Sequence, residues 1–384
     1  MAEDRADAPY VVKNHKKLRC GFTTGTCAAA AAKAAATMLL GNIELREVCV
    51  DTPKGIPARF VVEDICMRAG FVSCCVRKDS GDDPDVTDGI KIVASVRKTG
   101  GGIAVDGGPG VGRVTKKGLA CPVGSAAINP VPREMIRREV KSACSSFGYG
   151  GGMHVEITVP GGEQIAKKTF NSRLGIEGGI SILGTSGIVE PMSEGALVDS
   201  ILLEMDILRA NGTRALVLVP GNYGEDFVRN RTDIPLASVV KCSNFIGDAL
   251  DHALDLGFDS VLLIGHIGKM VKLAGGVMNT HSKYADCRME IFAANAALSG
   301  AGRDVLLELE SSATADHALE ILSAAGLMEE TMRRIMGRIE YHINIRLQNR
   351  MEAGALVFSN VYGILGQTSR AGAIIDRIKS GGNE

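Results

Sequence analysis

Apolar residues in the second half of the chain gather in short, nearly unbroken runs, Gly179–Leu183, Ala215–Val219 and Val261–Ile264. Each run stops at a turn of small or polar residues: Gly184-Thr185-Ser186-Gly187, Pro220-Gly221-Asn222-Tyr223-Gly224 and Gly265-His266-Ile267-Gly268-Lys269. Runs of Val, Ile and Leu without strict alternation are the pattern of parallel strands buried on both faces. Segments with helical spacing follow each of them, at Ala196–Arg209, at Phe245–Leu256 and through Lys269–Ala274, while 226–239 reads as a loop. The order strand, turn, helix predicts an open parallel sheet whose ligands lie beyond the carboxyl ends of the strands. Residues 303–349 read as mostly helical, and Ala355–Ser359 reads as a last strand.

The first half has a different texture. An alanine-rich stretch, Cys27–Leu40, predicts a helix that starts after Thr23-Thr24-Gly25-Thr26 and stops at Gly41-Asn42. Strands Glu47–Val50, Ala58–Val62, Phe71–Lys78 and Ile90–Lys98 pair off around turns, a helix runs from Pro130 to about Phe147, and Met153–Val159 alternates as a half-buried strand. The expected architecture is therefore α/β with two domains. A disordered arm (1–17) precedes an N-terminal α+β domain with hairpins (18–170) and a C-terminal open, mostly parallel α/β sheet (171–384). Two domains also suit the 384-residue length.

Composition narrows the function. A net charge of −1 and the absence of tryptophan argue against nucleic-acid binding, which uses a basic face and aromatic platforms. The ten cysteines form no CxxC pair, so free thiols in a reducing cytoplasm are expected, with no protein-held metal. No stretch is long and apolar enough to predict a membrane span.

Several segments carry candidate chemistry. The hydroxyls of Thr23, Thr24 and Thr26 beside a helix start read equally as a cap or as an anion site. Between 79 and 88 stand five aspartates, among them Asp82 and Asp83. Their spacing excludes an EF-hand and leaves either a solvated loop or acceptors aimed at N–H groups or a mobile proton. Gly107–Arg113 fails as a phosphate loop, because Arg113-Val114 stands where Lys-Ser/Thr is required. Its glycines read as tight hairpins.

The segments Leu18–Ala32, Lys78–Gly89, Gly110–Leu119, Ala127–Met135, Lys167–Glu194, Lys241–Ala249 and Leu262–Phe292 together resemble the cobalt-precorrin-5B C1-methyltransferase family, CbiD, of anaerobic cobalamin biosynthesis. The strings Gly178–Thr185 and Gly265–Lys269 are its most specific parts, and the resemblance spans nearly all of the chain after the first fifteen residues. It implies a methyltransferase moving a methyl group from S-adenosyl-L-methionine to ring-A carbon C1 of cobalt-precorrin-5B, giving cobalt-precorrin-6A, with cobalt entering only as part of the tetrapyrrole substrate. Homo-oligomerisation is left open. The alternative is a noncatalytic tetrapyrrole carrier or scaffold of the same pathway.

The resemblance brings no set of catalytic residues, so roles are read from chemistry. Turns at Gly184, Thr185, Gly187, Asn222, Tyr223, Gly265 and His266 suit an adenosyl cofactor that lacks phosphates, with Asp226 or its neighbour Glu225 on the ribose. The carboxylate rim of the macrocycle calls for cations, of which Arg113, Arg133, Lys269, Lys283 and Arg288 are candidates together with Thr24. For proton handling, His266 and His281 compete with Asp82 and Asp83.

Overall fold

In the computed structural model, residues 9–13 and 15–380 are described. The chain divides into two compact units between Glu194 and Gly195.

In the first unit a six-stranded sheet runs in the spatial order Glu47–Asp51, Pro57–Arg68, Phe71–Arg77, Lys91–Thr99, Gly152–Thr158, Ile103–Gly107. Neighbours are antiparallel except the last two, which pair in parallel. The edge strand Ile103–Gly107 leads into the glycine-rich stretch read as tight hairpins, which instead pairs with segments far along the chain. The alanine helix spans Thr24–Gly41, and from Cys27 to Ala32 every residue is fully buried. A helix apolar on nearly all sides is a buried one, and its run of alanine methyls lets it fit between this sheet and the helix Pro130–Ser146. Thr23 caps its start and Asn42, in the left-handed conformation, ends it. Its single cation, Lys33, meets Glu139 of the second helix at 2.9 Å.

The N-terminal arm expected to be disordered through residue 17 falls outside the described residues at 1–8 and at 14, and its other residues are mostly in paired strands. Tyr10–Lys13 and Lys16–Arg19 form an antiparallel pair, with the Lys17 ammonium 4.1 Å from the Tyr10 ring centre. A second difference concerns Gly179–Leu183, expected as the first strand of the parallel sheet. Only Gly179–Ile180 is extended there, and it pairs with Gly110–Val111 of the first unit. Ile176–Glu177 pairs with Arg113–Val114, and Ile188–Val189 pairs with Gly21–Phe22. These three short pairings carry the chain division to 194/195, beyond the 170/171 boundary read from texture.

The second unit holds the parallel sheet, in the order Val239–Lys241, Ala215–Val219, Ser260–His266, Glu352–Ser359, Gly363–Gln367, with only the last strand antiparallel. Alternate residues serve two cores. Leu216, Leu218, Val261 and Leu263 face one, while Val217, Val219, Leu262 and Ile264 face the other. Helices cover both faces, which is why these strands read as continuous apolar runs. The first part of the loop expected over 226–239 belongs to a helix, Asn222–Arg231, which buries Val228; 232–235 remain irregular and Leu236–Ser238 form a 3-10 turn before the strand at Val239. Residues 303–349 form three helices, Arg303–Glu310, Ala315–Ala324 and Met328–Arg346.

Candidate functional site

The four parallel strands of the second unit follow the spatial order second, first, third, fourth in the sequence. Connections therefore leave the sheet in opposite directions from Ala215–Val219 and Ser260–His266, and a crevice opens beyond their carboxyl ends. A cleft of about 880 Å³ lies there, lined by Pro220–Gly224, Asp226, Lys241, Ser243, His266, Gly268, Lys269, Arg288 and Thr314–Asp316.

Glycines shape its floor. Gly221 has φ 118° and ψ −172°, a conformation L side chains avoid, and a Cβ there would meet only the Lys269 ammonium, at 3.5 Å. Gly224 lets the following helix approach the strands closely, since its Cβ would lie 2.8 Å from the Ile264 carbonyl oxygen. Gly265 does the same beneath the cleft, against Met270 and Pro220. No side chain caps the helix Asn222–Arg231, so the N–H groups of its first turn lack intrahelical partners.

His266 ends the central strand and caps the next turn: its Nδ1 accepts the Gly268 N–H at 3.1 Å. That bond occupies the free lone pair of the neutral ring and leaves the proton on Nε2, which is buried, has no hydrogen-bond partner among the described residues and stands 3.8 Å from Asp316 Oδ2. Burial pushes the imidazole pKa down, and Asp316 only partly opposes this. The proton role expected of His266 narrows accordingly, because in this geometry the ring is a neutral donor with no open lone pair. Acid uptake at the ring then favours the unfolded chain as pH falls below about 6.5. His266→Gln is expected to lose less stability than the wild type on acidification from neutral pH, as followed by melting temperature. Parallel acid limbs would contradict the assignment.

The remaining cleft charges are mostly held. Lys241 bonds Glu225 at 2.9 Å and Asn222 Oδ1 at 3.0 Å, and Glu225 also meets Arg229. Glu225 is thus engaged as a strut, whereas Asp226 is exposed at the rim. Arg288 grips Asp286 through two bonds, 2.5 and 2.8 Å, which draw the Asp286 carboxyl down and the guanidinium up in pKa. Lys269 is half-buried against the Ser243 carbonyl, and burial lowers its pKa. The structure therefore brings together Asn222, Tyr223, Asp226, His266, Lys269 and Arg288, with Gly265 directly below.

The other sequence candidates lie elsewhere. His281 and Lys283 share an exposed turn outside the cleft lining, where His281 Nδ1 accepts the Lys283 N–H. Gly184, Thr185 and Gly187 belong to the first unit, where their segment is tied to the threonine cluster. Thr24 Oγ1 accepts the Leu183 N–H at 2.9 Å, Thr26 Oγ1 donates to the Gly187 carbonyl at 2.8 Å, and a Cβ on Gly184 would collide with Thr23. Thr24 is buried and its hydroxyl serves the backbone, so no anion site opens there. Thr24→Val removes the partner of that part-buried N–H, and a loss of about 1 kcal/mol is expected in chemical denaturation. An unchanged midpoint would argue against the structural role.

The aspartate loop is a set of internal acceptors. Asp79 takes two bonds from the Arg19 guanidinium, Asp82 takes the Arg19 N–H at 2.6 Å, and Asp83 takes the Met192 N–H at 2.9 Å. Asp82 and Asp83 are thus committed to backbone donors. Arg113 bonds Asp106 and the Gly107 carbonyl, and Arg133 bonds the Val105 carbonyl. Sequence reading missed Gly221, Ser243 and Asp316. Gly221 was visible as part of a turn, while Asp316 sits inside an ordinary helix start with no distinguishing pattern.

The CbiD family model matches residues 11–191, and that of the CbiD C-terminal domain matches residues 279–369. Arg288 and Thr314–Asp316 fall in the second match, and the cleft residues from Pro220 to Lys269 lie between the two. The cobalt-precorrin-5B C(1)-methyltransferase of Ruminiclostridium cellulolyticum is 50% identical over 352 residues, 92% of each chain. That of Alkaliphilus metalliredigens is 46% identical over 97% of this chain and 98% of its own. A crystal structure of a cobalamin biosynthesis protein (cbiD) from Archaeoglobus fulgidus is 32% identical, covering 72% of this chain and 86% of that one, with a TM-score of 0.40. Among the described residues, no helix is long and apolar enough to cross a membrane.

Proposed function

The chain belongs to the CbiD family, and from that premise we propose that it methylates carbon C1 of cobalt-precorrin-5B, taking the methyl group from S-adenosyl-L-methionine bound in the strand-end cleft of the second unit. The names carried by relatives that match nearly end to end support the methyltransferase and disfavour a noncatalytic carrier.

The observation that carries the donor site is the cleft at the sheet's switch point, built on Gly221 and open to the helix that follows. Its residues fit an adenosyl donor. The Gly221 turn admits close backbone approach, and the Tyr223 ring supplies a flat apolar face. The helix N-terminus and Lys269 suit a terminal carboxylate. No phosphate loop is required, in keeping with the failed motif at Gly107–Arg113.

When bound, the donor supplies an electrophilic methyl group on a sulfonium sulfur. The protein's part is to hold the donor in line with the accepting carbon and keep water out, and orientation alone can contribute about 7–11 kcal/mol. His266, neutral in the cleft, adds no second cation to repel the positively charged donor. Lys269 and Arg288 serve the anionic groups of donor and tetrapyrrole.

Incubation with cobalt-precorrin-5B and methyl-labelled S-adenosylmethionine tests the reading. A singly methylated product with the label at C1, located by mass spectrometry and NMR, is the expected outcome. A substrate recovered unlabelled, or labelled at another carbon, would refute it.

A further inference from the structure

Asp316 belongs to no motif, yet it is the most firmly aimed carboxylate in the cleft. It stands in the first turn of Ala315–Ala324, a helix capped by Thr314, whose hydroxyl accepts the His317 N–H. Ser359, at the end of the neighbouring strand and 2% exposed, accepts the Val361 and Tyr362 N–H groups at 3.0 and 3.3 Å. Both bonds arrive at its oxygen, so its one proton goes to Asp316 Oδ1, at 2.7 Å. The second oxygen, Oδ2, faces the imidazole N–H side of His266 at 3.8 Å, too far for a bond. The Asp316 side chain is 38% exposed and lines the cleft.

We propose that Asp316 is the residue that receives the ribose diol of the adenosyl donor, with Ser359 as its positioning residue. The assignment rests on the reading of this cleft as the donor site. A carboxylate offers about four lone-pair sites, so the Ser359 bond leaves room for two hydroxyl donors. A vicinal diol presents two such donors side by side. The reacting sulfonium is a poorer partner for a pinned carboxylate. Its charge disappears during transfer, so a fixed anion against it would stabilise the ground state more than the transition state. The diol oxygens are about four and five bonds from the sulfur and take no part in the bonds that change, so uniform binding there does no such harm. Asp226, the acid expected in this role, is exposed on a helix and has no comparable anchor.

Titration calorimetry with S-adenosylhomocysteine and with its analogue lacking both ribose hydroxyls tests the assignment without turnover. The wild type is expected to prefer the diol by about tenfold or more, the scale of a hydrogen bond to a charged group. Asp316→Asn should narrow that preference to about threefold or less, and Ser359→Ala should fall between. A wild type that binds both ligands equally, or an Asp316→Asn variant that keeps the full preference, overturns the assignment and leaves the donor site standing. A variant that loses affinity for S-adenosylmethionine alone, with diol preference intact, places the carboxylate at the sulfonium and also overturns it. A wild type that binds neither ligand removes the donor site itself, and this assignment with it.

Discussion

Gly221→Ala is expected to cut methyl transfer, as kcat/KM, by about a hundredfold or more while the chain stays folded. At φ 118° and ψ −172° the residue occupies backbone space that belongs to glycine, and an alanine held there costs about 1–3 kcal/mol. The turn escapes that cost by rotating. Asn222 and Tyr223 come next in the chain, and the Lys269 ammonium would be 3.5 Å from the added carbon, so the rotation displaces cleft residues directly. A misplacement of about 1 Å suffices for a hundredfold loss in a reaction that depends on alignment. Steady-state transfer of a labelled methyl group, with melting temperature as the folding control, checks the prediction. Activity within about threefold of wild type would show that this turn does not touch the donor.

The second large effect lies far from the cleft. Lys78 is 2% exposed at its side chain and bonds both the Ser80 hydroxyl and Asp85, the latter at 2.8 Å. Burial acts to raise the Asp85 carboxyl, but the Lys78 charge and bonds from Lys78 and Thr87 outweigh it, and the pKa lies below the ordinary value. Lys78→Met leaves that part-buried carboxylate with its Thr87 bonds but without its counter-charge, and a loss of about 2–3 kcal/mol is expected, below the range for a fully buried pair. Without the lysine, burial dominates and Asp85 protonates more easily. The deficit should therefore shrink from neutral to mildly acidic pH, and Lys78→Met combined with Asp85→Leu should regain most of it. Urea midpoints at the two pH values measure all three. A single variant as stable as wild type would show that the pair contributes nothing.

Much of this architecture is legible in the residues. Fourteen positions rich in alanine, Cys27–Leu40, can bury themselves only as a helix against close neighbours. The runs Ala215–Val219 and Val261–Ile264 announce strands covered on both sides, and the turns after them mark the cleft, including His266, Tyr223 and Lys269. Gly179–Leu183 looks the same locally, because a short apolar run does not say which sheet it joins. Its partner, Gly110–Val111, is about seventy residues away, and only the tertiary pairing separates it from the parallel sheet. Thr24 reads alike as a cap or an anion site, and what decides is the Leu183 N–H, brought to it from far along the chain. For the five aspartates the residues alone leave a solvated loop, N–H acceptors and a proton role open; Asp82 and Asp83 take N–H groups of Arg19 and Met192 from well outside the loop, while Asp85 and Asp88 take those of Thr87 and Ser80 within it. Asp316 and Ser359 were invisible for the same reason: each is unremarkable in sequence and meaningful only beside the other.

The location of the donor site is tested most directly by ultraviolet cross-linking of labelled S-adenosylmethionine, followed by mapping of the labelled peptide. Label on Pro220–Gly224 or on His266–Lys269 is the predicted result, because these turns floor the cleft. Label confined to the Gly184–Gly187 turn or to the threonine cluster of the first unit would contradict it.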